Sequence, residues 1–186
     1  MTKNQLRQEL KKRLSQMSEE QRIVKSKSAC QNLISLNQFK QASTIMVFLS
    51  FDNEIETAEI ILHAWQMGKV VAAPKVLSEK SHMIPIEINS LDKDIVADSL
   101  GVPNPTHGTP VPICEIDFVI TPGLGFDRDC NRLGRGAGYY DRFFSDKAMR
   151  GFKCGLAFSE QLVESVPVTA SDVAVDMVVT DEEIIG

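Results

Sequence analysis

The chain has 186 residues, of which 43% are hydrophobic and 24% charged, a composition suited to one globular domain with a core of its own. A net charge of −5 disfavours a general nucleic-acid binder, because the phosphate backbone rewards a basic surface. No apolar run reaches membrane-spanning length, and "MTKNQLRQELKKR" lacks the apolar core of a signal peptide.

In chain order, Thr2 with Gln5 has the form of a capping box opening a charged helix through about Leu14, and Ser18 with Gln21 repeats it for a second helix. "TIMVFLS" (44–50) is a continuous β-branched and apolar run, as a strand covered on both faces requires. Thr57 is placed to cap a helix whose inward face carries Ile60, Ile61, Ala64 and Trp65, and Gly68 ends it. "KVVAAP" (69–74) and "HMIPIEI" (82–88) read as the next strands, with Pro85 pushing the second towards an edge. A Pro/Gly-rich connection (102–112) leads to "IDFVITP" (116–122), a short buried strand. A helix is expected at about 138–144, and "FKCGLAF" and "DMVVT" close the chain as strands. Strands alternating with helices predict a single domain, 1–186, of α/β class, with a largely parallel sheet and helices on both faces. Cys30, Cys114, Cys130 and Cys154 form no C-x-x-C pair and are expected to be free thiols in a reducing cytoplasm.

The segment "NRLGRGAGYYDRFF" (131–144) follows the predicted strand 116–122 and opens the predicted helix. Its glycines let backbone N–H groups turn around an anion, and a helix start adds partial positive charge. Arg132 and Arg135 can grip phosphate oxygens as planar forks. Asp141 beside a polyphosphate would be repelled without a cation between them, so it reads as a Mg²⁺ ligand, directly or through water. Tyr139 and Tyr140 offer flat faces to an aromatic ring. These parts describe a nucleoside triphosphate with metal. The spacing matches neither G-x-x-x-x-G-K-[ST] nor G-x-G-x-x-G. Read by themselves, the same residues also fit a glycine-rich turn whose arginines pair with Asp127, Asp129 and Asp141.

The longer stretch "PGLGFDRDCNRLGRGAGYYDRFF" closely resembles the signature of the 5-formyltetrahydrofolate cyclo-ligases, also called methenyltetrahydrofolate synthetases. "KNQLR" near the start, "FLSFDNEIETAEII" (48–61), "APK" (73–75), "HM" (82–83) and "VPV…VDMVVTDE" (166–182) resemble the family's other blocks, in family order. The resemblance implies a three-layer α/β/α sandwich that uses ATP and Mg²⁺ to convert 5-formyltetrahydrofolate into 5,10-methenyltetrahydrofolate, releasing ADP and phosphate.

The resemblance also implies roles by position. ATP would be held by Lys3, Asn4, Gln5, Leu6 and Arg7, and by Arg132, Leu133, Gly134, Arg135, Gly136, Ala137, Gly138, Tyr139 and Tyr140. Arg135 and Tyr139 would stand at the chemistry. Folate would touch Phe51, Glu56, Arg135, Gly136, Ala137, Gly138 and Tyr139, and the metal would lie on Asp141 and Asp176. Taken without the resemblance, Lys3 and Arg7 are a solvated helix face, Glu56 a first-turn acid, Phe51 a core residue and Asp176 a strand-end turn residue. Cys130 stands where the family has glycine, so φ > 0 is expected at a side-chain-bearing residue. His63 and His107 are expected to be surface or satisfied core histidines. Two rivals, a sugar-phosphate isomerase or CoA-transferase relative and a non-catalytic nucleotide sensor, fit the arginine, Asp141 and Glu56 set less well. The expected partner is a small molecule, 5-formyltetrahydrofolate with or without a polyglutamate tail. No nucleic acid and no membrane are expected, and the protein should be a cytoplasmic monomer.

Overall fold

The computed structural model describes residues 1–77, 82–99 and 101–186. Both predicted capping boxes form. Gln5 N donates to Thr2 Oγ1 at 3.3 Å while Thr2 N donates to Gln5 Oε1 at 2.8 Å, starting helix α1, Lys3–Ser15. Ser18 and Gln21 start α2, Glu19–Ser35, in the same way. A short α3, Asn37–Gln41, precedes strand β1, Thr44–Val47. Then come α4, Ala58–Gln66, and strands β2, Val70–Leu77, and β3, His82–Glu87. Strands β4, Ile95–Ala97, and β5, Pro103–Pro105, lead to β6, Phe118–Thr121. Strands β7, Gly125–Phe126, and β8, Arg132–Leu133, precede α5, Tyr139–Phe144, and β9, Phe152–Leu156. Strands β10, Met177–Val179, and β11, Ile184–Ile185, end the chain.

The main sheet has seven strands in the order β11-β10-β9-β6-β1-β2-β3. Its five inner strands run parallel, and β3 and β11 pair antiparallel at the two margins. Pro85 does lie on an edge strand. Successive residues alternate between two cores, as the twofold period of a strand demands. Ile45, Val47, Val71, Ala73, Phe118 and Ile120 pack with α2, α3 and α4 residues such as Leu33, Phe39 and Ile60. Met46, Ala72, Val119 and Val178 pack on the other face with Phe126, Phe143 and Phe144. The expected α/β class is therefore found, with one refinement: the second face is covered by α5 and by loops around the β7–β8 hairpin.

Three local expectations are corrected. The strand predicted over 44–50 stops at Val47. Beyond it, Phe48 O accepts from Thr57 Oγ1 at 2.8 Å and Ser50 Oγ accepts from Thr57 N at 2.8 Å, so these groups serve the 48–57 loop. Thr57 accordingly makes no side-chain cap to α4. The 102–112 connection contains β5, which forms a small antiparallel ladder with β4 that no turn signal announced. Among the described residues no helix is long and apolar enough to cross a membrane.

Candidate active site

The glycine-rich segment leaves the carboxyl end of β6, where open α/β sheets place ligands. It first folds back as the β7–β8 hairpin, with Phe126 opposite Arg132. The buried Asp127 carboxylate closes that hairpin, accepting from Asp129 N at 3.1 Å, Asn131 N at 2.9 Å, Asn131 Nδ2 at 3.1 Å and Val166 N at 2.8 Å. Cys130 sits at φ 60 in this turn, the left-handed conformation expected of it. Gly136, at φ 118, and Gly138, at φ 68, then turn the chain into α5 through conformations that L side chains rarely adopt. Arg142 steadies that turn, donating from Nη2 to Ala137 O at 2.7 Å and lying 5.4 Å over the Tyr139 ring.

This segment walls a cleft of about 630 Å³. Lys3 and Arg7 reach it from α1, whose Leu6 and Leu10 are buried with Leu133 and Val166 and so fix the helix beside the loop. Arg7 Nε donates to Gly134 O at 2.9 Å, and Lys3 Nζ donates to Asp172 Oδ2. Glu54, the β2–β3 residues Pro74, Val76, His82 and Met83, and Thr169, Ser171 and Asp172 complete the lining. Five cationic side chains (Lys3, Arg7, Arg132, Arg135 and Arg142) face three carboxylates (Glu54, Asp141 and Asp172), reversing locally the net negative charge of the chain. Such a cleft suits a polyanion.

Arg132 is only 7% exposed. Its Nη2 donates to Asp141 Oδ1 at 3.1 Å, and its guanidinium lies 5.4 Å from the centre of the Tyr140 ring. Among the described residues, Arg132 Nε and the Tyr140 hydroxyl are buried without a hydrogen-bond partner. Burial pushes the Tyr140 hydroxyl well above its ordinary pKa, so it stays a proton donor. Two buried unpaired donors in one wall are costly unless a ligand answers them. Arg135 donates from Nε and Nη2 to Glu54 Oε1 at 3.1 and 2.9 Å and lies 5.8 Å over Phe51. Burial raises the Glu54 carboxyl above its usual range, against the opposing pull of Arg135 and of the Phe51 N–H.

Several expected site residues lie elsewhere. Glu56 is exposed and outside the cleft, its backbone N donating to Ser26 Oγ at 3.1 Å. The cleft carboxylate on this loop is Glu54. A tight turn, with Glu54 N donating to Phe51 O at 3.3 Å and Asp52 at φ 60, swings Glu54 inward before Ile55 enters the core. Asp176 stands at the amino ends of β9 and β10, accepting from Lys153 N at 2.7 Å and Lys153 Nζ at 2.9 Å. That is the end of the sheet opposite the departure of the glycine segment, so Asp176 and Asp141 are not brought together. Asp172 faces the cleft instead, and its neighbour's backbone, Val173 N, donates to Asp141 Oδ1 at 3.3 Å.

Asn4, Gln5 and Leu6 do not line the cleft: Asn4 accepts from Arg7, Gln5 belongs to the capping box, and Leu6 is buried. Arg132 to Tyr140 all line it, and Phe51 lies under Arg135 just outside. His63 stacks on Phe39 at 6.3 Å, His107 is exposed, and all four cysteines are free thiols. Among the described residues no cluster of three or more His, Cys, Asp or Glu could hold a metal by itself. The "APK" and "HM" blocks had marked the β2–β3 wall without suggesting a role; nothing local marked Thr169 or Ser171.

Comparison with known proteins places these features in a family context. The model of the 5-formyltetrahydrofolate cyclo-ligase family matches residues 1–181. The 5-formyltetrahydrofolate cyclo-ligase of Mus musculus is 33% identical over 190 residues, spanning 97% of this chain and 94% of its own. The NMR structure of Aquifex aeolicus 5,10-methenyltetrahydrofolate synthetase superposes with a TM-score of 0.84 at 31% identity, covering 100% of this chain and 92% of that one. A 5,10-methenyltetrahydrofolate synthetase from Mycoplasma pneumoniae gives a TM-score of 0.79 at 25% identity, covering 97% and 99%.

Proposed function

Because the chain belongs to the 5-formyltetrahydrofolate cyclo-ligase family, we propose that the cleft around residues 132–142 is where it closes 5-formyltetrahydrofolate to 5,10-methenyltetrahydrofolate at the expense of ATP. The N5-formyl group is an amide, and its oxygen is a poor leaving group. Transfer of the γ-phosphoryl group to that oxygen, with ADP released, gives an iminium phosphate. N10 attacks the formyl carbon, closing the five-membered ring, and gives up its proton to the departing phosphate or to water as the C–O bond breaks. The enzyme's contribution is positioning and charge stabilisation.

Lys3, Arg7, Arg132 and Arg135 serve as phosphate ligands, and Arg132 Nε and the Tyr140 hydroxyl supply two further donors. These orphaned donors are the observation that carries the assignment. Tyr139 and Arg135 lie where the two substrates meet. Glu54, held by Arg135 beside Phe51, accepts from the amino-pyrimidine edge of the pterin in the role expected of Glu56. Asp141 and Asp172 fit a hard divalent cation: both are oxygen donors on the cleft wall, linked through Val173 N, and Mg²⁺ takes one or two carboxylates plus substrate phosphates. When bound, such an ion neutralises charge on the transferred phosphoryl group. The reading extends to a monomer, acting in a cytoplasm whose reducing conditions keep the four free thiols reduced.

The test is methenyltetrahydrofolate absorbance on mixing protein, 5-formyltetrahydrofolate, ATP and Mg²⁺. Product should form only with both ATP and a divalent cation, with one ADP per ring closed. Asp172→Asn should lower turnover by about a hundredfold, whereas Asp176→Asn should leave it near wild type. The reverse ranking would return the metal role to Asp176.

A further inference from the structure

The two carboxylates assigned to the divalent cation, Asp141 and Asp172, are both neutralised by cations of the protein, but not in the same way. Arg132, paired with Asp141, is a buried planar guanidinium that also donates to Pro122 O at 3.5 Å and stacks on Tyr140. Its place is set by the wall around it. Lys3, paired with Asp172, is a flexible stem on the first turn of α1, about a quarter exposed, and among the described residues its ammonium is paired with this one carboxylate. Asp172 Oδ2 also accepts from Thr169 N at 2.5 Å and Thr169 Oγ1 at 2.8 Å, so the carboxylate stays anchored whether or not Lys3 is present. Burial pushes the Asp172 carboxyl up, but Lys3 and the Thr169 bonds outweigh it and hold it below its ordinary value.

Mg²⁺ sheds its water reluctantly, and an ammonium beside Asp172 opposes any cation whichever oxygen that cation approaches. A triphosphate changes the balance, since its several negative charges compete for a mobile lysine far better than for a packed arginine. We propose that Lys3 is an exchangeable counter-ion, which blocks divalent-cation binding in the empty cleft and moves to phosphate when the nucleotide arrives. Metal and nucleotide then enter together, and neither carboxylate is left bare at any stage. This rests on the reading above that Asp141 and Asp172 hold the cation.

Mn²⁺ can stand in for Mg²⁺ and be followed by electron paramagnetic resonance, without turnover. In nucleotide-free protein, Lys3→Met should bind Mn²⁺ at least about tenfold more tightly than wild type, the scale of one charge-assisted hydrogen bond. Lys3→Gln, which keeps a polar side chain at this position, should show the same gain, and adding Asp172→Asn should erase it. In the complex with a β,γ-imido ATP analogue, wild type should bind Mn²⁺ tightly and Asp172→Asn should lose that affinity. Equal Mn²⁺ affinities for wild type and both Lys3 variants would overturn the counter-ion role while leaving the metal site standing. An Asp172→Asn complex that keeps full Mn²⁺ affinity would overturn the metal site, and this proposal with it.

Discussion

Glu54 and Glu56 are two residues apart on one loop, and the side chains end in different environments. Glu54 has a side chain only 13% exposed and shares its Oε1 with two Arg135 nitrogens. Glu56 is exposed and joins the rest of the protein through its backbone. Glu54→Gln replaces an acceptor-only carboxylate by an amide with one acceptor oxygen and an NH₂ group that would face a pterin N–H donor to donor, and it leaves Arg135 without its charge partner. Folate binding should weaken by about 1.5–3 kcal/mol, the usual worth of a charged hydrogen bond, with the KM for ATP changed far less. Glu56→Gln should leave both constants alone. Steady-state titrations of each substrate decide it, and equal behaviour of the two variants would remove Glu54 from the folate site.

At the scale of elements, the N-terminus of α4 shows how tertiary demand overrides a local signal. Thr57 has the right identity for a cap, yet its hydroxyl donates to Phe48 O and shares a 2.9 Å contact with the Ser50 hydroxyl, which also donates to Ile55 O at 2.7 Å. These bonds tie the end of β1 to the start of α4 and so hold the loop that presents Glu54. Thr57→Val should therefore cost about 1–3 kcal/mol in denaturant unfolding, the penalty for leaving buried polar groups unpaired. A true cap would tolerate Thr57→Asp, since aspartate caps as well as threonine. At a site only 1% exposed, aspartate instead buries a charge, so Thr57→Asp should be less stable than Thr57→Val. A more stable aspartate variant would restore the cap. The helix α1 obeys its local signal, because nothing competes with its capping box, and its buried Leu6 and Leu10 bring Lys3 and Arg7 to a loop far along the chain.

For the whole molecule, the two cores flanking the sheet take up three of the four thiols. Cys30, Cys130 and Cys154 are buried, and Cys114 is exposed. Burial, reinforced by Glu59 and Glu56, pushes the Cys30 thiol up to about 12, and burial also raises Cys130 and Cys154. Since the thiolate is the nucleophile, these three should be inert at neutral pH. Mass spectrometry after alkylation should find Cys114 modified in the native protein and all four thiols modified in denaturant. Rapid native labelling of Cys130 would show that its turn at φ 60 opens locally, loosening the hairpin that carries Arg132.

What the amino-acid order determined by itself was whatever repeats or carries special local chemistry. The apolar runs of β1, β6 and β9, the two capping boxes and the glycine-arginine-tyrosine segment all declared themselves within a few residues. The two-residue strands of the β7–β8 hairpin and the three-residue strands of the β4–β5 ladder did not, because such pieces are too short to display a period. The acids were harder still. That Glu54 rather than Glu56, and Asp172 rather than Asp176, lines the cleft follows from turns at 51–54 and 169–172, where neither the helical nor the strand period governs side-chain direction. Tertiary structure decided them: a loop side chain points where its turn, its anchors and the neighbouring core leave room, and those neighbours come from distant parts of the chain. The same holds for the pairing of Lys3 with Asp172, which 169 positions of sequence separate and one cleft joins.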